Sequence, residues 1–292
     1  MPKIVVDQLT KEPVVLNYTV SGNKTGIPIV YLHGGPGDAV TPSFKGQFDA
    51  SLYRVILYDQ RGCGKSTPRN HLEKNTTPLL LSDLEKLREH LGVDKWVVAG
   101  GSWGSSLALL YAQKWPERVL GLLLRGVYDL SLENCVLDSV YPETKEALDS
   151  IASGSKFNKT VTRILSGKRN ATRRRLIELM ESNDPLYVNQ PPGKDSFETQ
   201  ETLALIGHHY ESHRFFMPKN AVYKGLAKLK HIPVIMVQGR YDVVTPMNIA
   251  YGISKKLPLC ELRVVRAGHT MHETAIMHAL KKASTDLAAK VR

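Results

Sequence analysis

The residues Gly100-Gly101-Ser102-Trp103-Gly104 set a serine between glycines directly after an apolar run and directly before a helix-forming one. In that strand-turn-helix context, G-x-S-x-G describes a sharp turn that presents a serine hydroxyl for nucleophilic attack. Gly100 and Gly104 suit a turn too tight for side chains on either flank, and a helix starting at Trp103 would aim its positive dipole end at the serine. A serine hydroxyl attacks poorly until a base removes its proton, and the attack makes an oxyanion that needs donors already in place. Donors, a base and an acid to orient the base must therefore be found elsewhere in the chain.

The donors are expected at His33-Gly34-Gly35-Pro36-Gly37, a glycine-rich loop after the apolar run 28–32. There the amide of Gly35, with Gly34 as the alternate donor and a substrate-contacting position, joins the amide of Trp103 as an oxyanion hole. Pro36 donates nothing and stiffens the turn, a place that suits a cis bond. No Lys-Ser or Lys-Thr closes the segment, so it is not a phosphate-binding loop. The acid and base follow in the order serine, acid, histidine: Asp242 in Gly239-Arg240-Tyr241-Asp242, and His269 in Ala267-Gly268-His269. His269 would take the Ser102 proton, and Asp242 would hold its tautomer. His272 is the fallback base, and His33 reads as a brace of its loop. A further segment, Asp59-Gln60-Arg61-Gly62-Cys63-Gly64-Lys65-Ser66, reads as a turn in which Asp59 and Arg61 fasten backbone; Cys63 lies outside the elbow and is no nucleophile candidate.

These residues need a sheet whose strands end together, and short β-rich runs at 14–20, 28–32, 54–58, 96–99, 119–124, 233–237 and 262–265 supply one. Several are apolar throughout, as expected where helices cover both faces of a parallel sheet. Helical patterns at 79–91, 103–114, 247–257 and 272–291 alternate with them, which predicts an α/β fold with a mostly parallel central sheet. The alternation stops after residue 124 and resumes at 233. Between them the patterns are helical only, clearest at 146–152, 171–180, 197–208 and 221–229, with a polar, proline-rich segment at 183–196 that reads as a mobile loop. The expected organisation is a catalytic core of residues 1–128 and 230–292 with an all-helical cap, 129–229, inserted in it.

The 292 residues, 42% hydrophobic and 23% charged, suit a soluble globular chain with a large core. No apolar run approaches the roughly 18 residues of a membrane span, and no signal-like N-terminus is visible, so a cytoplasmic protein without a membrane partner is expected. Cys63, Cys135 and Cys260 are odd in number and far apart, matching neither a disulfide framework nor a zinc site. The formal charge of +11 owes much to Lys156, Lys159, Arg163, Lys168, Arg169, Arg173, Arg174 and Arg175. With no aromatic interleaving or nucleic-acid motif, that stretch reads as a solvated helix face, and no nucleic-acid partner is expected.

Taken together, HGGPG, DQRGCGKS, GGSWG, GRYD and AGH, in this order, resemble the proline iminopeptidase (prolyl aminopeptidase) family of α/β-hydrolases. The resemblance covers residues 1 to about 128 and 230–292. It implies an α/β-hydrolase fold, release of an N-terminal proline or small residue from peptides, and no cofactor. It also implies cap carboxylates that read the substrate's free amino terminus, since an enclosed ammonium group needs anionic partners. Glu181 matches one of these, although Met180 stands where a tryptophan is expected. Gly207 occupies the position of the second, leaving Glu211 or Glu201 as replacements or a different substrate as the consequence. The competing readings are an esterase or amidase acting on small acyl compounds, and a binding protein that has lost turnover. The serine, acid and base together argue against the last.

Overall fold

The computed structural model describes residues 2–131, 137–182, 188 and 195–292. Eight strands form one sheet in the order β1-β2-β4-β3-β5-β6-β7-β8, with β1 (Lys3–Gln8), β2 (Pro13–Gly22), β3 (Ile27–Leu32), β4 (Tyr53–Tyr58), β5 (Trp96–Gly101), β6 (Val119–Arg125), β7 (Val234–Gly239) and β8 (Cys260–Val265). The β1–β2 and β2–β4 pairings are antiparallel and every other pairing is parallel. Seven of these strands fall on the runs read from sequence, and β1 is the addition. It is an edge strand that pairs with β2 alone, and its Val5 is 63% exposed, so it lacks the buried pattern that marks the others.

The apolar strands are two-faced in space. Val30, Leu32, Trp96 and Val98 pack on one side with α1 (Thr77–His90) and α2 (Trp103–Lys114), whereas Ile29, Tyr31, Val97 and Ala99 pack on the other with α10 (Thr274–Val291). Successive side chains point to opposite faces, so a strand covered on both sides must be apolar at every position. Between β6 and β7 the described elements are helical: α3 (Leu137–Val140), α4 (Pro142–Ile151), α5 (Phe157–Ser166), α6 (Ala171–Met180), α7 (Phe197–Ser212) and α8 (Ala221–Gly225), with short 3-10 turns among them. The helix α9 (Met247–Ser254) joins β7 to β8. Helix α5 was absent from the sequence reading because Thr160, Val161, Thr162 and Ile164 are β-branched and weigh against a helix, although Val161 and Leu165 are buried one turn apart. Residues 183–196, read as a mobile loop, lie outside the described residues apart from Val188, Asp195 and Ser196.

The helical segment has a small core of its own in Ala152, Val161, Leu165, Leu176, Ile177 and Ala204. Helix α7 ties that core to the sheet. Its Ile206 and Tyr210 join the main core, the Tyr210 ring meets the Trp103 ring edge-on at 5.3 Å, and the Tyr210 hydroxyl donates to Asn75 Oδ1 at 2.8 Å. The basic residues of α5 and α6 mostly face water, but Arg173 turns inward to the buried Glu201 at 3.0 Å, and the exposed Arg169, between the two helices, reaches the same carboxylate at 2.6 Å.

The turn after β4 is braced as its residue types imply. Asp59 accepts from the amides of Val40 and Lys65 at 2.9 and 3.0 Å and from Asn17 Nδ2 at 3.2 Å. Arg61 forms two 2.6 Å hydrogen bonds to Asp83 on α1, and both residues are 1% exposed. Removing one partner of such a pair leaves the other charge desolvated and unmatched. Asp83→Ala is expected to cost about 3–5 kcal/mol in urea unfolding; a loss under about 1 kcal/mol would contradict the structural role given to this pair.

Candidate active site

The strand-to-helix turn at Ser102 is as tight as its glycines suggest. A Cβ on Gly100 would stand 2.1 Å from the Gly104 carbonyl oxygen, and one on Gly104 would stand 2.0 Å from the Leu32 carbonyl oxygen. Only glycine permits this backbone approach. Ser102 itself has φ 56° and ψ −126°, a region that side-chain-bearing residues rarely occupy. Its amide donates to the Arg125 carbonyl at 2.9 Å, and its carbonyl accepts from the Ser105 amide at 2.8 Å, which hold the turn from both sides.

Asp242 and His269, read as acid and base, meet at 2.9 Å between Oδ2 and Nδ1. Asp242 accepts in addition from the amides of Val244 and Thr245 at 3.0 and 2.8 Å, from the Thr245 hydroxyl at 2.9 Å and from Gln238 Nε2 at 3.0 Å. Burial alone would raise its pKa; His269 and these donors outweigh that and hold it below the usual carboxylate value. An ionised acceptor at Nδ1 places the His269 proton there and leaves Nε2 as the basic nitrogen. Nε2 lies 3.4 Å from Arg125 Nη1, which also donates to the His269 carbonyl at 2.8 Å. Arg125 thus sits between the serine turn and the histidine loop. Among the described residues Ser102 Oγ makes no hydrogen bond to the ring, and such contacts commonly tighten only with substrate bound.

The glycine loop passes over the serine: a Cβ on Gly34 would lie 3.4 Å from Ser102 Cβ. Gly35 has φ +103° and the Gly35–Pro36 bond is cis. Trp103 begins α2, with its ring buried and its Nε1 donating to Gln60 Oε1 at 3.1 Å. His33 is fully buried; its Nε2 accepts from the Gln60 amide at 3.0 Å and its Nδ1 lies 3.0 Å from the Gly34 carbonyl, so it braces the loop. His272 is exposed against Phe44.

Of the carboxylates considered for an ammonium group, Glu201 is committed to Arg169 and Arg173. Glu181, at the end of α6, is half-buried; burial, then the negative charges of Glu211, Asp195 and Asp38, push its pKa up to about 8. Glu211, on the last turn of α7, is the more exposed of the two, and partial desolvation of its carboxyl pushes it up to about 7. Gly207 leaves bare backbone, with only the Pro36 carbonyl oxygen, at 3.7 Å, near a notional Cβ. Sequence reasoning missed Arg125, Thr245, Gln238 and Asp38. Arg125 had a signal, a charge ending a wholly apolar strand; Thr245 and Gln238 had none beyond lying near Asp242.

The alpha/beta hydrolase fold family matches residues 27–276. A proline iminopeptidase of Neisseria meningitidis is 36% identical, the match covering 91% of this chain and 90% of that protein. The chain belongs to the proline iminopeptidase family of α/β-hydrolases. It is a serine hydrolase. The proline iminopeptidase of Arabidopsis thaliana is 35% identical over 94% of this chain and 77% of its own length. An esterase from Exiguobacterium antarcticum has a similar fold, with TM-score 0.63 and 16% identity over 97% of this chain and 98% of that one. At that identity the likeness concerns the fold alone. Among the described residues no helix is long and apolar enough to cross a membrane, and no group of three or more His, Cys, Asp or Glu is arranged to hold a metal ion.

Two expectations follow from the local physics. Ser102→Gly should remove the hydroxyl and relieve about 1–3 kcal/mol of strain against about 1 kcal/mol of added freedom in the unfolded chain. The variant is expected to be inactive yet at least as stable as the parent in thermal unfolding; clear destabilisation would show that the turn is unstrained. The folded protein holds the Glu181 proton to about pH 8, against an ordinary value of 4.5, so ionising this group costs stability as pH rises between the two. Glu181→Gln should therefore raise the melting temperature near pH 8 and leave it almost unchanged near pH 4, and the reverse order would refute the assignment.

Proposed function

We propose that this hydrolase is an exopeptidase that releases N-terminal proline or another small residue from peptides through an acyl-enzyme on Ser102. The observation that carries this reading is the Asp242–His269 hydrogen bond set beside the strained Ser102 turn. Ser102 Oγ attacks the carbonyl carbon of the first residue while His269 Nε2 takes its proton. The amides of Gly35, or Gly34, and Trp103 receive the oxyanion. Collapse breaks the peptide bond, and His269 returns the proton to the leaving amine. Water then repeats the sequence on the ester and frees the acyl residue. Asp242 keeps the ring oriented and offsets the charge of the imidazolium.

Substrate choice rests on the helical insertion, residues 129–229, acting as a cap over the core of residues 1–128 and 230–292. Glu181 in this cap, with Glu211 nearby, is a carboxylate held partly protonated until a cation arrives. An ammonium group entering beside it favours the ionised form, so binding releases a proton and gains a charge-assisted contact. This favours peptides with a free amino terminus over the neutral acyl compounds of the esterase or amidase alternative. The free thiols of Cys63 and Cys260 fit the cytoplasmic setting expected from sequence.

Hydrolysis of proline amides with free and with blocked amino groups, and of short-chain esters, tests the reading. The wild type is expected to prefer the free amine, and Ser102→Ala to lose about a thousandfold or more in kcat/KM. Cleavage of esters alone would favour the esterase, and equal inertness of wild type and Ser102→Ala beside retained ligand binding would mean a binding protein.

A further inference from the structure

We propose that Asp38 is a substrate-binding residue, the core-side carboxylate that receives the ammonium group of the substrate's first residue opposite Glu181. The proposal rests on the exopeptidase reading and names a residue for it outside the cap. Asp38 follows the glycine loop directly. Its Oδ1 accepts the Ala39 amide at 2.7 Å. Its Oδ2 lies 3.9 Å from the point where a Cβ on Gly34 would stand, and that same point is 3.4 Å from Ser102 Cβ. The carboxylate is therefore on the serine side of the loop, at most about 7 Å from Ser102 Cβ by those two distances, a span of about two residues.

A negative charge at that place opposes chemistry that builds an oxyanion nearby, so a neutral acyl substrate gains nothing from it. A substrate with an ammonium group next to its scissile carbonyl gains an anionic partner there. Burial raises the pKa of Asp38, the cost of holding a carboxylate in this position, and among the described residues it makes no salt bridge that would offset that cost. Its charge helps to raise the Glu181 pKa, so the two acids act on one another. Asp195 and Glu211 add to the same field, while His33 and Arg125 oppose it at Asp38.

The packing of α7 explains why the second acid can come from the loop. A Cβ on Gly37 would stand 2.8 Å from the Thr202 carbonyl oxygen, so α7 rests on the loop immediately before Asp38. Gly207, on the same helix, faces the Pro36 carbonyl with no side chain between. The position where the resemblance expects a glutamate is thus bare, and Asp38 directly follows the loop on which α7 rests.

The test uses the full chain, with proline p-nitroanilide as the free-amine substrate and p-nitrophenyl acetate as a neutral one that reads the serine and histidine alone. Asp38→Asn, and Asp38→Gly should the first fail to fold, is expected to raise KM for the anilide about tenfold or more. Hydrolysis of the acetate should not fall, since it has no ammonium to lose and the variant removes a charge that opposes its oxyanion. An unchanged KM for the anilide overturns the proposal, and so does a parallel loss on both substrates, which would mean a loop brace. A wild type that cleaves the acetate but no free-amine substrate overturns the exopeptidase reading and this proposal with it, a result visible before any variant is made. Gly207→Glu added to Asp38→Asn should lower KM again if both positions face one ammonium; no recovery withdraws that shared position alone.

Discussion

Backbone meets backbone where the carboxyl ends of β3 and β5 come together, and the rest of the site depends on that contact. The Gly104 backbone lies against the Leu32 carbonyl, leaving no space for even a methyl group. This closeness sets the start of α2 under the glycine loop, brings Gly34 against Ser102 and forces the serine into a backbone region that it would not choose. A larger residue at either glycine would push the loop away and separate the nucleophile from its donors together. The rigid sheet absorbs the cost because its strands are buried on both faces.

Two kinds of acid differ by their surroundings. Asp242 is saturated with donors, and its charge is stable before any substrate arrives. Glu181 and Glu211 are desolvated, and their protons are held far more tightly. The first kind organises a ring; the second kind, in the proposed reading, would ionise beside a cation.

Much of this was legible in the sequence because its signals are local. The elbow, the glycine loop and the acid and histidine positions each follow a strand, and seven strands were readable from apolar runs. Glu201 was open as a replacement carboxylate until its pairing with Arg169 and Arg173 in space removed it. Asp38 and Thr245 were invisible for a related reason, and Arg125 showed only as a charge closing an apolar strand. Their neighbours are set by sheet register and by the approach of α7, which no short window of sequence contains. The edge strand β1 and the β-branched helix α5 escaped because pairing and packing, more than propensity, hold them in place.

The insertion between β6 and β7 also orders events in time. β6 ends at Arg125 and its parallel partner β7 begins at Val234, so the sheet cannot close across that edge until the whole helical segment has left the ribosome. Such distant pairing is slow compared with local helix formation. A growing chain that already carries Ser102 has neither Asp242 nor His269, and its serine remains an ordinary alcohol. On the proposed mechanism, hydrolytic competence is thus withheld until residues 242 and 269 have been made and β7 and β8 have joined the sheet, well after the serine turn itself exists.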